Sequence, residues 1–277
     1  MDPAIGSTVW SISTFRDFDF KNIPPNSLVV FDIDDTLVVE DNMKVMQNAN
    51  AEDRRSFLSS IRDAEGESRI NFLYENITYK LTEPILHDIL ADLRSNHTCA
   101  ALTARRTGKA SISQKQTVLE VTLGTLSTLG VSFNFDRFEN VDMSDLTPNA
   151  QTTINPNLRP FEVEGKVSTK DGVIFCNNID KGIVLGALFE RSGFFPNTVI
   201  YIDDSMKNIL DVGCALADIN RRYDKSIKYQ CYRYQGVTNA DNSVDPKVVE
   251  KQLEYLLADP PRVLKDIEAA EMLTEIK

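Results

Sequence analysis

Short apolar runs alternate with segments of helical periodicity between Leu28 and Tyr232. This alternation predicts a parallel sheet with crossover helices, because a strand reaches a parallel neighbour only through a long connection. We therefore expect an α/β fold, with a Rossmann-like parallel sheet and helices on both faces. The strands are predicted at residues 28–32, 98–103, 131–135, 173–176, 198–202 and 228–232.

Helices are predicted where apolar residues recur every three or four positions. One is opened by Pro84, one covers residues 111–129, one covers residues 181–191, and one lies between the last two strands. Gly130 and Gly193 directly follow two of these segments, and glycine often ends a helix because it accepts a left-handed conformation.

Two segments interrupt the alternation. Residues 41–80 are polar and helical without a strong strand, which predicts a small helical cap insertion after the first strand. Residues 136–172 are irregular and rich in proline, and they end in a turn-rich stretch that predicts a hairpin into the next strand. We interpret residues 1–277 as a single α/β domain with these two insertions. Two amphipathic helices in residues 246–277 are expected to pack on its core.

The charge balance narrows the classes of partner. The formal net charge is −11 and the pI is about 4.8, so the average field repels nucleic acids and anionic membranes. A small phosphorylated substrate remains possible if the protein supplies a local cationic pocket. No apolar stretch is long enough for a transmembrane segment, and residues 1–4 lack the pattern of a secretion signal. We expect a soluble protein, cytoplasmic by default, with export open if a leader was removed; the oligomeric state is not indicated.

The cysteines and histidines argue against a zinc site and against a histidine-based triad. The chain has four cysteines and two histidines. The cysteines are far apart in apolar surroundings, without the paired spacing of zinc ligands, and this favours ordinary buried thiols. His87 and His97 alone offer little for a zinc site or a histidine-based triad.

The strongest chemical signal is a cluster of acids at the end of the first predicted strand. The apolar run 28–31 is followed by Asp32, Asp34 and Asp35. A strand buried in a parallel sheet delivers such residues to the carboxyl edge, where open α/β folds bind ligands. Neighbouring buried carboxylates repel each other, so the segment predicts a divalent cation or a charged substrate nearby.

Three later features fall on the same edge of the predicted sheet. Thr103 ends a strand, Lys181 stands in the first turn of a helix, and Asp203–Asp204 ends another strand. Because the carboxyl ends of parallel strands share one edge, these side chains are expected to converge with the acids after the first strand.

In this order, the four elements resemble the signature motifs of the haloacid dehalogenase (HAD) superfamily, which is dominated by magnesium-dependent phosphatases. The resemblance covers roughly residues 28–208. The segment Asp-Ile-Asp-Asp-Thr is similar to that of acid phosphatases and of uncharacterised bacterial relatives, and the subgroup is unresolved. The fold implied is HAD-like.

The resemblance implies a role for each matching residue. Asp32 is the implied nucleophile, which attacks phosphorus and forms an aspartyl-phosphate. Asp34 is the implied general acid for the leaving oxygen and then the base for water. Thr103 and Lys181 are the implied phosphate-binding residues.

The resemblance also implies Mg²⁺ as the cofactor, held by oxygen ligands. The expected ligands are the Asp32 carboxylate, the backbone carbonyl of Asp34, and Asp204. Asp203 is expected to bind or orient from nearby, although Asp203 and Asp204 are interchangeable in these two roles.

Other polar residues have weaker assignments. Thr36 is expected to fix its loop by hydrogen bonding. Asn208 is either a supporting residue near the metal or an exposed helical amide. Arg105 and Arg106 are placed to line the entrance, but we leave them out of the catalytic set.

The function expected from the resemblance is a magnesium-dependent phosphatase that hydrolyses phosphomonoesters. Asp34 favours phosphoryl transfer over dehalogenation, because a dehalogenase does not need a proton donor two residues after the nucleophile. Two alternatives remain: a phosphotransferase or phosphomutase of the same superfamily, and a non-catalytic HAD-like binding protein. The natural substrate cannot be inferred from the insertions.

Overall fold

The computed structural model describes residues 9–41, 43–47, 52–65, 67–109, 116–147, 165–239 and 243–274. Within them the strands are β1 (Val9–Ile12), β2 (Ser27–Phe31), β3 (Val38–Glu40), β4 (Tyr79–Leu81), β5 (Thr98–Thr103), β6 (Ser168–Lys170), β7 (Val173–Phe175), β8 (Thr198–Asp203) and β9 (Lys228–Tyr234). The helices are α1 (Glu52–Glu65), α2 (Glu67–Asn76), α3 (Leu86–Asn96), α4 (Val118–Thr128), α5 (Lys181–Ser192), α6 (Met206–Tyr223), α7 (Gly236–Asn239), α8 (Pro246–Leu257) and α9 (Asp266–Thr274).

Seven of these strands form the central sheet, in the order β1-β9-β8-β2-β5-β7-β6. All neighbouring pairs are parallel except β6 and β7. The prediction of an α/β protein with a mostly parallel sheet flanked by helices is confirmed. No helix in the described part of the chain is long and apolar enough to cross a membrane.

The first predicted strand lies inside the sheet. β2 pairs with β5 on one side and with β8 on the other, and all residues of β2 and β8 are buried. A strand that is buried on both faces has a continuous apolar sequence instead of an alternating one. This is why the sequence predicts β2 clearly. Side chains that follow β2 and β8 therefore emerge side by side at one edge.

Helix ends match their sequence signals. The Asp180 carboxylate accepts the backbone N–H groups of Gly182 and Ile183 and caps the start of α5. Gly193 follows α5 with a φ of 66°, and Gly130 follows α4 with a φ of 68°. Both glycines adopt the left-handed conformation that a side chain disfavours.

The hairpin before β7 also follows the sequence signal. β6 and β7 pair antiparallel, and Asp171 and Gly172 have φ values of 51° and 74°. Two successive positive φ values are typical of the type I′ turn that joins tight hairpins. Two predicted segments lie partly outside the described residues: the proline-rich part of the second insertion, and residues 111–115 of the helix predicted over residues 111–129.

The strand predicted over residues 131–135 is wrong. Val131 and Phe135 are buried as the alternation suggested, but the segment is not a strand. The side chain of Asn134 takes the place of a ladder: its oxygen accepts the backbone N–H of Cys99 at 2.8 Å, and its nitrogen donates to the carbonyls of Arg94 and His97, each at 2.8 Å. An amide side chain that satisfies the neighbouring backbone removes the need for regular pairing.

The chain divides into two compact units. One contains Met1–Leu37 and Glu83–Gly236 and holds the central sheet; the other contains Val38–Thr82 and Val237–Lys277. The sequence pattern assigned the terminal helices to the α/β core, whereas the structure groups them with the insertion.

The second unit has its own apolar core. In it α8 packs against α1, α2 and α9. Buried residues of α1, α2 and α8 share one cluster, which includes Phe57, Ile61, Leu73 and Leu256. Ile267 in α9 is 63% exposed. The segment Val38–Thr82 of this unit begins and ends with the antiparallel pair β3–β4, which brackets the helices of the predicted insertion.

Candidate functional site

Three carboxylates converge at the carboxyl edge of the central sheet. Asp32 directly follows β2, and its backbone N–H donates to the carbonyl of Ile202 in β8 at 2.9 Å. Asp32, Asp203 and Asp204 each offer an oxygen, and these oxygens lie within 4.8 Å of one another. The two distant acidic segments that the sequence indicated are therefore brought together.

Lys181 joins two of these acids. Its Nζ lies 2.6 Å from Oδ1 of Asp32 and 2.7 Å from Oδ2 of Asp203, and its side chain is 1% exposed. Burial by itself lowers the pKa of Lys181, but the carboxylates of Asp203 and Asp32 outweigh burial and raise that pKa above its ordinary value. Lys181 therefore carries a fixed positive charge between the ends of β2 and β8.

Asp203 is surrounded by donors. Besides Lys181, the hydroxyl of Tyr201 donates to Oδ2 of Asp203, and the backbone N–H of Ser205 donates to its Oδ1 at 2.7 Å. The side-chain nitrogen of Asn208 lies 3.1 and 3.2 Å from the two oxygens. Asn208 is buried, so the alternative prediction of an exposed helical amide is wrong. This many donors hold the Asp203 side chain in one orientation.

Asp204 has a different environment. Its backbone N–H donates to the hydroxyl of Thr36 at 3.1 Å, and its carbonyl accepts Nε of Arg233 at 3.1 Å. Within the described residues, no hydrogen-bond donor reaches its carboxylate. Burial raises the pKa of Asp204 to about 8, and the neighbouring carboxylates of Asp203 and Asp35 add to this shift.

The pKa of Asp32 is raised for the same physical reasons. Burial raises its pKa well above the ordinary value; Lys181 opposes this rise, and Asp203, Asp204 and Asp34 add to it. One lysine therefore does not compensate all the negative charge of the cluster. Closely spaced carboxylate oxygens are the ligands that hard divalent cations such as Mg²⁺ prefer. The donor set fits a divalent cation.

Asp34 lies beside the buried cluster but is itself half-exposed. Its side chain is 48% exposed and is held by Arg105, with Nε 3.0 Å from Oδ2 and Nη2 2.6 Å from Oδ1. Arg105 was not among the catalytic residues predicted from the sequence. The signal that could have found it is its position two residues after Thr103, at the end of the strand next to β2.

Thr103 is fully buried at the end of β5. Its hydroxyl accepts the backbone N–H of Arg105 at 3.2 Å, which tightens the turn after the strand. The structure thus puts Thr103 at the expected edge, although no hydrogen bond joins it to the three acids in the described part of the chain. Tyr201 and Arg233, which contact Asp203 and Asp204, were not predicted.

A family model described as "Protein of unknown function (DUF2608)" matches residues 16–267. The chain belongs to the DUF2608 family. Searches of curated proteins and of solved structures gave no match. The DUF2608 match covers the three acids at the sheet edge together with Lys181 and Arg105.

Proposed function

We propose that this DUF2608 protein is a magnesium-dependent phosphatase of the HAD type, which hydrolyses phosphomonoesters through an aspartyl-phosphate. One observation carries the proposal. The carboxylate that ends the central strand β2, Asp32, lies within 4.8 Å of Asp203 and Asp204 and 2.6 Å from the buried Lys181. A nucleophile, a cation site and a fixed positive charge at one edge are the parts that phosphoryl transfer needs.

The ligands proposed for Mg²⁺ are the carboxylates of Asp32 and Asp204 and the backbone carbonyl of Asp34. The hydrogen bonds of the neighbouring acids support Asp204 over Asp203, because both oxygens of Asp203 already accept protein donors whereas the Asp204 carboxylate accepts none from the described residues. When bound, Mg²⁺ would supply the positive charge that reduces repulsion between the acids and a phosphate group.

In the proposed first step, an oxygen of Asp32 attacks phosphorus. The new P–O bond forms as the bond to the ester oxygen breaks, and the ester oxygen leaves with that electron pair. Asp34 donates a proton to this oxygen, so the product is a neutral alcohol. Asp34 suits the task because half of its side chain is open to solvent and substrate.

In the second step, water attacks the phosphorus of the aspartyl-phosphate. Asp34, now ionised, accepts a proton from this water. The bond between phosphorus and the Asp32 oxygen breaks, which regenerates the Asp32 carboxylate and releases inorganic phosphate. The proton on Asp34 is then available to the next leaving oxygen.

Lys181 and Thr103 have supporting roles in this scheme. The Lys181 ammonium offsets negative charge at Asp32, so that a phosphate dianion can approach an ionised nucleophile. The hydroxyl of Thr103 and the backbone N–H groups that follow β5 are the proposed donors to the phosphate oxygens. Both residues are buried and attached to regular elements, so they keep their geometry as charge builds up.

The test is hydrolysis of a panel of phosphomonoesters, with Mg²⁺ and with a chelator. We expect turnover only with the metal, and loss of turnover in Asp32→Asn. Asp136→Asn is the matched control, because it makes the same change at an exposed carboxylate outside the site. A fully active Asp32→Asn protein would contradict the assignment of the nucleophile.

Two other outcomes would redirect the proposal. If added alcohols or sugar phosphates accept the phosphoryl group faster than water does, the protein is a phosphotransferase or phosphomutase. If no ester is turned over although Mg²⁺ binds to the acid cluster, the site serves binding without catalysis.

A further inference from the structure

We propose that Arg105 is a positioning residue that, together with Thr122, holds Asp34 for proton transfer. The inference rests on the proposed function, in which Asp34 serves as acid and base. It assigns a role to a residue that the sequence analysis left out.

The contact between Arg105 and Asp34 is a two-point pair. Nε and Nη2 of Arg105 lie 3.0 and 2.6 Å from the two different oxygens of Asp34. Paired donors on a rigid guanidinium fix both the position and the plane of a carboxylate, whereas a lysine would fix only its position. The orientation of Asp34 therefore follows that of Arg105.

Arg105 is itself held from the other side. Its Nη1 donates to the hydroxyl of Thr122 in α4 at 3.0 Å, and this hydroxyl donates to the carbonyl of Val118 at 2.7 Å. Thr122 is fully buried and the Arg105 side chain is only 14% exposed. A continuous chain of hydrogen bonds thus runs from the first turn of α4 to Asp34.

The loop that carries Asp34 needs this help for its side chain but not for its backbone. The N–H of Leu37 donates to the carbonyl of Ile33 at 2.9 Å, and Asp35 has a φ of 56°, so the turn is closed. The Asp34 carboxylate, in contrast, is 48% exposed and lies outside the cluster around Lys181. Proton transfer requires a heavy-atom distance of roughly 2.6–3.2 Å, which a freely rotating side chain would meet only part of the time.

The donors of Arg105 favour a role through Asp34 over direct binding of phosphate. Three N–H groups of Arg105 are committed to Asp34 and Thr122, out of the five that a guanidinium has.

The experiment compares Arg105→Gln in two backgrounds, the native chain and Asp34→Asn, with full-length protein and Mg²⁺. If Arg105 acts through Asp34, the substitution lowers kcat about 10- to 100-fold in the native chain but less than about threefold when Asp34 is already replaced. The loss is expected to be larger for alkyl phosphates than for aryl phosphates with good leaving groups, because only poor leaving groups depend on a proton donor. KM should change little.

Two further variants keep the test decisive. Thr122→Val keeps Arg105 but removes its anchor, so it should give the same leaving-group pattern with a smaller loss, about three- to tenfold. Arg191→Gln is the matched control, because it breaks a similar two-point pair, with Asp145, outside the site; it should change kcat less than about twofold. Thermal unfolding of each variant identifies losses that come from misfolding.

The inference is overturned if Arg105→Gln raises KM and lowers the rate equally in both backgrounds, since Arg105 would then act on the phosphate directly. It is also overturned if the variant keeps the native rate for alkyl phosphates. Failure of the proposed function itself would be visible earlier, as an inactive native protein or an active Asp32→Asn variant.

Discussion

Carboxylates occupy two different environments within a few residues of each other at the end of β2. Asp32 is buried with Asp203 and Asp204 around Lys181, whereas Asp34 is half-exposed and held by Arg105. The same chemical group is therefore desolvated in one place and open to solvent in the other.

This contrast shows how one short segment can supply carboxylates for two different tasks. A buried carboxylate is costly to keep ionised and gains most from a cation, which suits a metal ligand or a nucleophile. An accessible carboxylate in a defined orientation can exchange protons with substrate and water. Environment, and not residue type, separates the proposed roles of Asp32 and Asp34.

The largest effect is expected from removal of the buried cation. Lys181→Met leaves Asp32 and Asp203 without the ammonium that lies 2.6 and 2.7 Å from them. Loss of one member of a buried ion pair destabilises a protein by about 3–5 kcal/mol. Urea unfolding of the metal-free protein measures this loss.

Lys207→Met is the matched control for that substitution. Lys207 also contacts two acids, Asp180 and Asp211, but its side chain is 56% exposed. Exposed pairs contribute roughly 0–1 kcal/mol, so the control should be nearly neutral. Equal losses in the two variants would show that burial does not distinguish the cluster.

The next effect concerns pH and Mg²⁺. Burial raises the folded-state pKa of Asp204 to about 8, whereas an unfolded aspartate has a pKa of about 3.9. Between these values the folded state binds more protons, so the free energy of unfolding of the metal-free protein decreases as pH rises from about 4 to about 8. Mg²⁺ opposes this decrease, and at 100 times its Kd it stabilises by about 2.7 kcal/mol. Melting temperatures with Mg²⁺ and with a chelator, at pH 5 and pH 8, measure both effects.

Asp204→Asn isolates the contribution of this carboxylate. The variant should lose part of the decrease in stability between pH 5 and pH 8, and Mg²⁺ should stabilise it less than it stabilises the native chain. A variant with the native pH dependence and the native response to Mg²⁺ would assign both effects to other groups.

Much of the architecture could be predicted because parallel strands buried on both faces leave a continuous apolar signal. β2, β5 and β8 were found in this way, and the glycines that end α4 and α5 marked helix boundaries. β1 was missed, since a four-residue edge strand carries too little apolar pattern to be recognised. The terminal helices were assigned to the core because an amphipathic stripe shows that a face is buried but not which element covers it.

The residues of the candidate site could also be predicted only in part. The rule that parallel strands share a carboxyl edge predicted from sequence that Asp32, Lys181 and the two acids at the end of β8 lie close together. The position of Arg105 just after β5 marks it as a candidate, but its contact with Asp34 depends on side-chain rotamers and on a loop path that no local pattern encodes. Tyr201 precedes Asp203 by two positions and thus lies on the same face of the strand. A tyrosine at this position is predicted equally well as a residue of the apolar core, so its contact with Asp203 could not be assigned.

The smallest effect on stability, and the sharpest separation of the two environments, is expected for Asp34→Asn. Its carboxylate is half-exposed, so loss of the pair with Arg105 should change the free energy of unfolding by less than about 1 kcal/mol. Removal of the proposed general acid and base should nevertheless lower kcat about 10²- to 10⁴-fold. Urea unfolding and steady-state hydrolysis of one alkyl phosphate, measured on the same preparation, test the effects on stability and on kcat.

Asp136→Asn, at an exposed carboxylate, controls for the loss of one charge. If Asp34→Asn lost several kcal/mol of stability, Asp34 would behave like the buried acids, and its environment would not differ from that of Asp32.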